Sequence, residues 1–414
     1  MTNCTVHKSV VSRFKINEHT DLNQMESHMI QQPAKNAERL ADIQQFVRDI
    51  AIPAEAEVVR TNEIPPSIVE IMRQRGYFGW SIPIEYGGQG LTTEELAMAN
   101  IELSKAATAF RARAGTNTGI GAESLIQDGT EDQKRCWLPR LASGAVTGCL
   151  ALTEPEAGSD ATALRTSARL TETGDGSRWL ISGTKRYITN APIADLFTVF
   201  ARTDPLDLSH RGISAFLVER QTPGLSTGPE HRKMGQAGSP VSEVYLEQVS
   251  VRPEDIVGLE TGKGFLTAMK TLNKQRINLA ALCIGPAMRL LEEALAHVKT
   301  RKQFGQRIAD FQLVQAMLAE SQVEIAAATA LVMETARARD RGEDVALQAS
   351  MCKYFASEMC GRVADRVVQI FGGGGYCADI GGPIEMLYRD VRLFRLYEGT
   401  SQIHLLNIAK RILK

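Results

Sequence analysis

Leu196-Phe197-Thr198-Val199-Phe200 and Ile213-Ser214-Ala215-Phe216-Leu217-Val218 are the stretches that decide the fold class of this chain. Both are short, rich in β-branched and aromatic residues and bounded by turn residues, which is typical of β-strands. Similar runs, Trp179-Leu180-Ile181-Ser182 and Val244-Tyr245-Leu246, lie before and after them. The pattern predicts a compact all-β domain in the middle of the chain.

On both sides of this β segment the apolar residues recur at helical spacing. Before it, Leu40, Ile43 and Phe46 follow one another at three-residue steps, and after it Leu291 and Leu295 are four residues apart. Such spacing places apolar side chains on one face of an α-helix. The flanking parts of the chain are therefore predicted to be helical.

These patterns divide the chain into four parts. We place an N-terminal helical domain at residues 34–147, the β domain at 148–260 and a C-terminal helical domain at 261–414. Residues 1–33 mix acidic and basic side chains without periodicity and are predicted to be a poorly ordered extension. The expected fold class is α+β, mainly α.

Composition narrows the possible partners and compartment. The 414 residues contain 47 Lys and Arg against 48 Asp and Glu, so a net charge of -1 provides no field to attract nucleic acid or an anionic membrane. The seven cysteines are scattered and lack metal-ligand spacing, so we expect reduced thiols and no metal site. No apolar run approaches the roughly 18 residues of a membrane span, and no signal peptide is evident. A cytoplasmic protein is expected.

Two motifs lie near the start and middle of the β domain. Leu152-Thr153-Glu154-Pro155-Glu156-Ala157-Gly158-Ser159-Asp160 could be a Pro/Gly turn closed by an Asp cap. It could instead be a loop whose backbone N–H groups and the hydroxyls of Thr153 and Ser159 face a flavin or its pyrophosphate. The second motif, Lys185-Arg186-Tyr187-Ile188-Thr189-Asn190, ends a strand with an aromatic ring and a hydroxyl on the same face.

Three further motifs lie in the C-terminal helical domain. Arg301-Lys302-Gln303-Phe304-Gly305 could be a cationic helix end closed by glycine. Gln369-Ile370-Phe371-Gly372-Gly373-Gly374-Gly375 follows a helical run, so the glycines fail the Rossmann criterion of opening a helix after a strand. Leu396-Tyr397-Glu398-Gly399-Thr400-Ser401-Gln402-Ile403 could be a simple helix N-terminal cap or a turn that presents a carboxylate.

Together, the five motifs resemble the acyl-CoA dehydrogenase family in their order and approximate spacing, over residues 35–414. The resemblance implies an N-terminal helical domain, a central β-barrel-like domain and a C-terminal four-helix bundle, assembled as a homotetramer or a dimer. It implies FAD as the cofactor, an acyl-CoA thioester as the substrate and an electron-transfer flavoprotein as the electron acceptor.

The resemblance also assigns roles to individual residues. Those implied to contact FAD are Leu150, Leu152, Thr153, Gly158, Ser159, Tyr187, Ile188, Thr189, Arg301, Phe304, Gln312, Gln369, Ile370, Gly372, Gly373, Thr400 and Gln402. Those between Arg301 and Gly373 would do so largely from a neighbouring subunit. Those implied to contact the acyl-CoA are Ser159, Asn273, Arg276, Tyr397 and Gly399.

Glu398 is the predicted base of the reaction. The chemistry requires a base beside the weakly acidic α C–H of a thioester, and burial raises the pKa of a carboxylate so that it can serve. By resemblance, the Glu398 backbone amide and a ribityl hydroxyl of FAD donate to the thioester oxygen. Some branches of the family carry the base on the middle helix, but Gln275 stands at that position and cannot ionise.

Three features leave alternatives open. Arg111 and Arg113 fall near the position where glutaryl-CoA dehydrogenases carry a carboxylate-binding arginine, so a dicarboxylic acyl group is an alternative substrate. Tyr187 stands where many members carry Trp, which affects the expected electron acceptor. Oxidases and monooxygenases share the fold implied by the resemblance, although the monooxygenases generally lack a glutamate before Gly-Thr.

Overall fold

The computed structural model describes residues 35–174 and 176–413, so the predicted extension at 1–33 lies outside the described residues. The chain divides into two units, Met1–Asp42 and Ile43–Lys414. Residues 35–42, the described part of the first unit, are helical. The second unit contains every helix and strand given below.

The helices of the N-terminal part surround Phe46, Tyr77, Trp80 and Phe110, which are almost fully buried. In chain order they are α1 (Ile52–Thr61), α2 (Pro66–Gln74), α3 (Thr93–Leu103), α4 (Thr108–Gly115), α5 (Gly121–Asp128) and α6 (Glu131–Ala142). Capping boxes begin two of them: the Thr92 hydroxyl accepts from the Glu95 amide, and Thr130 does the same for Gln133. These two capping threonines therefore set the positions at which α3 and α6 begin.

The middle of the chain forms one seven-stranded sheet. Its strands are β1 (Gly148–Ala151), β2 (Ser167–Thr173), β3 (Gly176–Thr189), β4 (Leu196–Arg202), β5 (Ile213–Glu219), β6 (Leu225–Thr227) and β7 (Val241–Val251). The order is β1-β4-β2-β3-β7-β6, with β5 added to β4. β4 pairs in parallel with β1 and antiparallel with β5, and β3 pairs antiparallel with both β2 and β7.

The unbroken apolar run of β4 follows from burial on both faces. Phe197 and Val199 lie in a core within the β domain, whereas Leu196 and Phe200 lie in a second core with Leu138 of α6. A strand covered on both sides has no solvent face, so alternation of polar and apolar residues is not required. Through the second core, the β domain packs against helix α6, which precedes it in the chain.

The C-terminal part contains three long helices, α7 (Gly264–Thr300), α8 (Gln312–Asp340) and α9 (Ala346–Phe371). A two-stranded ribbon, β8 (Lys302–Gln303) with β9 (Gln306–Arg307), joins α7 to α8. The shorter helices α10 (Gly373–Tyr376), α11 (Ile384–Val391) and α12 (Ser401–Ile412) follow. The apolar core of α7 and α9, with buried Ala280, Ile284, Ala356 and Val363, is continuous with that of the N-terminal helices.

Helix α8 is apolar, but other parts of the chain cover little of its surface. By length and composition alone it could cross a membrane, with a mean hydropathy of 1.3 over 18 residues, yet a core helix of a soluble protein passes the same test. Only 22% of that stretch is buried within the chain. Exposed Leu313 and Val323 show that part of its apolar surface has no partner among the described residues.

Candidate active site

A large cavity, about 1370 Å³ in volume, lies where the β domain meets α7, α12 and the turn before α12. It brings together residues that are far apart in the sequence. Of the residues predicted for the cofactor and substrate, the cavity wall includes Leu150, Leu152, Thr153, Gly158, Ser159, Tyr187, Ile188, Thr189, Asn273, Arg276, Tyr397, Glu398, Gly399 and Thr400.

The other predicted cofactor residues lie outside this cavity. Phe304 is 93% exposed in the ribbon that joins α7 to α8. Six more are also exposed: Arg301, Gln312, Gln369, Gly372, Gly373 and Gln402. The Ile370 side chain is buried in the helical core, so only its backbone is available to a ligand. A single chain therefore does not bring these residues to the cavity.

Strand β3 departs from simple alternation where it reaches the cavity. The pairing of β3 with β7 shifts between Lys185 and Ile188, and Tyr187 adopts a left-handed backbone with φ of 59°. The shift is a β-bulge, which redirects a side chain. Tyr187 and Thr189 both line the cavity, but Tyr187 is 64% exposed at its edge and packs near His231 with ring centroids 5.7 Å apart.

The loop 152–160 is held in place by a buried ion pair behind it. Lys185 Nζ lies 2.8 Å from Glu154 Oε1 and donates to the Leu152 carbonyl at 3.2 Å. Glu154 also accepts from the backbone amides of Arg165 and Thr166. Burial raises the pKa of Glu154, but Lys185 and these amides more than offset it and hold the pKa below its usual value. The loop is therefore a preformed wall of the cavity rather than a simple solvent-exposed turn.

Replacing Lys185 with Met is expected to destabilise the protein by about 3–5 kcal/mol, because Glu154 would keep a buried charge without its partner. Loss of bound flavin after gel filtration and a lower urea midpoint would measure the effect. Arg252→Met is the matched control, since that cation pairs with Asp255 at the surface of the same domain and should change the stability by less than about 1 kcal/mol. Unchanged flavin content and an unchanged midpoint in Lys185→Met would contradict this role.

Glu398 lies on a strained turn directly before α12. Its φ is 52° and that of Gly399 is 94°, both in the left-handed region that side-chain-bearing residues rarely adopt. The cap of α12 is Thr400, whose hydroxyl accepts from the Ile403 amide at 3.3 Å. The motif thus contains both a cap and a separately presented carboxylate, and the cap interpretation does not account for Glu398.

The environment of Glu398 raises the pKa of its carboxyl group. Burial raises the pKa of the carboxyl group, while the positive charges of Arg111, Lys353 and Arg276 oppose the shift without cancelling it. Its Oε2 atom is enclosed and has no hydrogen-bond partner among the described residues. A carboxylate with a raised pKa and an open acceptor in a cavity has the properties of a general base.

The two arginines considered for substrate selectivity differ in position. Arg111 lines the cavity and its Nε donates to Asn100 at 3.2 Å. Arg113 is buried with its guanidinium 5.0 Å from the centre of the Phe78 ring and does not line the cavity. Burial and the nearby Arg73 lower the pKa of Arg113 to about 10. Only Arg111 is placed to contact a ligand.

Sequence reasoning missed Lys353 and His404 as parts of the site. Both are fully buried beside the Glu398 turn, where Lys353 Nζ donates to the Gly399 carbonyl at 2.6 Å. A lysine between the apolar residues Cys352 and Ala356 of an otherwise buried helix face was the available signal. Gln275 stands at the alternative position of the base and was rejected for that role because it cannot ionise. This residue also lines the cavity.

The cavity has room for a large cofactor beside a substrate. Gly158, in the loop 152–160, has open space where a side chain would lie, which permits close approach of a ligand to the backbone. The cavity volume exceeds the usual range of roughly 300–1,000 Å³ for a single small ligand. Glu398, a half-buried carboxyl group in the cavity wall, and room for a second large molecule beside a substrate are features that an enzyme with a bound cofactor requires.

Comparison with known proteins identifies the family. Family models for the acyl-CoA dehydrogenase N-terminal, middle and C-terminal domains match residues 35–145, 149–249 and 262–413. The chain belongs to the acyl-CoA dehydrogenase family, which confirms the resemblance and the expected fold. It is a flavin-dependent oxidoreductase that uses FAD.

Three relatives show the extent of the similarity. A 3-(aryl)acrylate reductase of Clostridium sporogenes is 41% identical, covering 90% of this chain and 98% of the relative. The caffeyl-CoA reductase-Etf complex subunit CarC of Acetobacterium woodii is 37% identical, covering 86% and 92%. A solved acyl-CoA dehydrogenase from Bacillus anthracis, complexed with FAD, is 32% identical with a TM-score of 0.84, covering 92% of this chain and 67% of that one.

Proposed function

We propose that this chain removes two hydrogens across the α,β-carbons of an acyl-CoA, with Glu398 as the base, to give a trans-2-enoyl-CoA. The observation that carries the proposal is the Glu398 carboxyl group, placed in the cavity with a raised pKa and an unpaired oxygen. When bound, FAD supplies the hydride acceptor for the β-carbon. The metabolic context is fatty acid breakdown or a related acyl-CoA pathway.

Residues of the chain take the proton, bind the thioester oxygen and contact the substrate. The Glu398 carboxylate takes the α-proton, and its backbone N–H donates to the thioester oxygen, which stabilises the developing negative charge. Ser159, Tyr397 and Gly399 line the same cavity and would border the acyl group. Asn273 accepts from Arg276 Nη1 at 2.6 Å, which fixes both side chains on the α7 wall where the CoA arm would pass.

The test is anaerobic bleaching of the FAD-loaded enzyme by a panel of acyl-CoAs of different length and end group. Saturated acyl-CoAs are expected to bleach the flavin absorbance in a single turnover, and the rates would rank chain length. If none of the panel bleaches the flavin, the proposed dehydrogenation is wrong. Rapid reoxidation of the bleached enzyme by oxygen would favour an oxidase over a dehydrogenase.

The direction of the reaction needs a second experiment on the same FAD-loaded enzyme. The relatives from Clostridium sporogenes and Acetobacterium woodii are named for reduction of acrylates or caffeyl-CoA. A base that takes a proton in one direction returns it in the other, so the same residues serve both. Oxidation of the chemically reduced enzyme by 2-enoyl-CoAs, including aryl-substituted ones, would show the reductive reaction.

A dicarboxylic acyl-CoA is the second candidate substrate, favoured by the position of Arg111 in the cavity. Among the described residues no carboxylate pairs with Arg111, so its guanidinium can bind a terminal carboxylate in a bidentate manner. Arg113, which packs over Phe78, is not proposed for this role.

Replacing Arg111 with Met is expected to lower kcat/KM for glutaryl-CoA relative to butyryl-CoA by about 100-fold if the acyl group is dicarboxylic, because charge-assisted hydrogen bonds are lost. The ratio is the readout, since Arg111 also lowers the pKa of Glu398 and its loss affects both substrates. Arg113→Met is the matched control and should leave the ratio unchanged. An unchanged ratio in Arg111→Met would assign the enzyme to monocarboxylic acyl groups.

We also propose self-association and an electron-transfer flavoprotein partner. The exposed apolar face of α8 and the exposed cofactor residues near Phe304 would be covered if each cofactor were held by two chains of a homotetramer or dimer. The name of the Acetobacterium woodii relative includes an electron-transfer flavoprotein complex, which supports such an acceptor here. The six cysteines among the described residues are free thiols and four of them are buried, which fits a cytoplasmic location.

A further inference from the structure

The turn that carries Glu398 is held from behind by two side chains that are 0% exposed, Lys353 of α9 and His404 of α12. Lys353 Nζ donates to the Gly399 carbonyl at 2.6 Å. His404 Nε2 lies 3.2 Å from the Glu398 carbonyl. The two consecutive carbonyls of the turn therefore have separate buried donors from two different helices.

The turn needs such support because of its conformation. Glu398 carries a side chain but adopts a left-handed backbone, and Gly399 follows with a positive φ. A strained turn persists only where its surroundings fix it. If either carbonyl lost its donor, the turn could relax, and the carboxylate and the Glu398 amide would leave their positions together.

His404 acts as a neutral donor. Burial and the nearby Arg276 and Lys353 lower the pKa of His404 to about 3. A carbonyl oxygen only accepts, so the hydrogen of the neutral ring is assigned to Nε2. A side chain at position 399 would begin 3.0 Å from His404 Nε2, so glycine leaves room for this contact.

Lys353 differs from His404 because its side chain carries a positive charge. Within the part of the chain that the structure describes, no carboxylate lies within ion-pair distance of Lys353, although a buried ammonium is costly. A neutral donor would satisfy the Gly399 carbonyl equally well. The charged groups that face Glu398 are Arg111, Lys353 and Arg276, all positive. Lys353 is the one of these that also holds the turn.

We propose that Lys353 and His404 are positioning residues that hold the Glu398–Gly399 turn so that the carboxylate faces the cavity. This inference rests on the proposed function, in which Glu398 takes the α-proton. Neither residue contacts the reacting atoms in this role.

The test is single-turnover flavin reduction by the best acyl-CoA of the panel, measured per bound flavin from pH 6 to pH 9. Lys353→Met is expected to slow reduction about 100-fold, because a small displacement of a reacting group has an effect of this size. Its rate should also reach half of the maximum at a higher pH than in the wild type, since a positive charge facing Glu398 is lost. A residue with only a structural role would not move this pH profile.

A second pair of variants keeps the proposal testable if Lys353→Met does not fold. His404→Leu should slow reduction, whereas His404→Gln, whose amide can still donate to the Glu398 carbonyl, should restore most of the rate. The control on α9 is Arg362→Met, which removes an exposed pair with Glu324 away from the turn.

Three outcomes are informative. A slower rate with a shifted pH profile in Lys353→Met, or rescue by glutamine at position 404, supports the proposal. Wild-type rates and pH profiles in Lys353→Met and His404→Leu, with Glu398→Gln inactive, overturn the positioning role but leave the proposed function intact. A wild-type rate in Glu398→Gln itself overturns the proposed function and this inference with it.

Discussion

Glu398→Gln is expected to retain FAD and lose flavin reduction by acyl-CoA, with a rate lower by on the order of 10⁴-fold. Glutamine has nearly the same shape and can occupy the same turn, but it cannot accept the α-proton. Stopped-flow absorbance under anaerobic conditions measures the rate, and the flavin spectrum of the purified variant measures cofactor retention.

The pH dependence of the wild type gives an independent check. The base must be ionised to act, and burial raises the pKa of Glu398 above its usual value. The wild-type rate should therefore rise with pH through this raised pKa, whereas any residual rate of Glu398→Gln should not follow it. Glu172→Gln, an exposed carboxyl group on β2, is the control and should behave as the wild type. Bleaching of Glu398→Gln at the wild-type rate would show that another group is the base.

Arg289→Met is expected to lower the free energy of unfolding by about 3–5 kcal/mol. Arg289 of α7 forms a buried bidentate pair with Glu55 of α1, at 2.5 and 2.8 Å, and also donates to the Lys105 carbonyl. Glu55 in turn accepts from the Ala107 amide at 2.7 Å. Removal of the arginine would leave the Glu55 charge buried without its main partner. Urea unfolding of the flavin-free protein measures the effect.

A double variant separates the pair from the packing around it. Glu55→Leu with Arg289→Met removes both charges and is expected to be less destabilised than the sum of the single variants. Arg341→Met, which breaks an exposed pair with Glu343, is the control and should cost less than about 1 kcal/mol. A single variant Arg289→Met with the control's stability would show that the buried pair contributes little.

The order of helical, β and helical parts followed from the sequence because each pattern reports local burial. The run Leu196 to Phe200 predicted a strand, and the structure explains its lack of polar residues by cores on both faces. The cavity gathers Leu152, Thr153 and Glu398 from motifs that were found separately. The domain boundaries at 148 and 261 remain predictions.

The contacts behind the site could not be predicted, because they join residues without a local pattern. Lys185 and Glu154 are 31 residues apart, and Lys353 and Gly399 are 46 apart. Whether Arg111 or Arg113 faces the cavity depends on a rotation of α4 that the sequence does not fix. The exposed positions at Arg301, Phe304 and Gln369 show that one chain alone does not complete the predicted cofactor site.

The cavity wall runs from Thr108 of α4 to Arg411 of α12 and includes the ends of β1 and β3. In the proposed site, FAD makes its contacts only when all of these parts have folded, so we expect it to bind the native chain and not the unfolded one. By mass action, free FAD at 100 times its Kd stabilises such a protein by about 2.7 kcal/mol. The abundance of the folded enzyme in a cell is thereby tied to the supply of riboflavin-derived cofactor, and flavin starvation would deplete the protein as well as its activity.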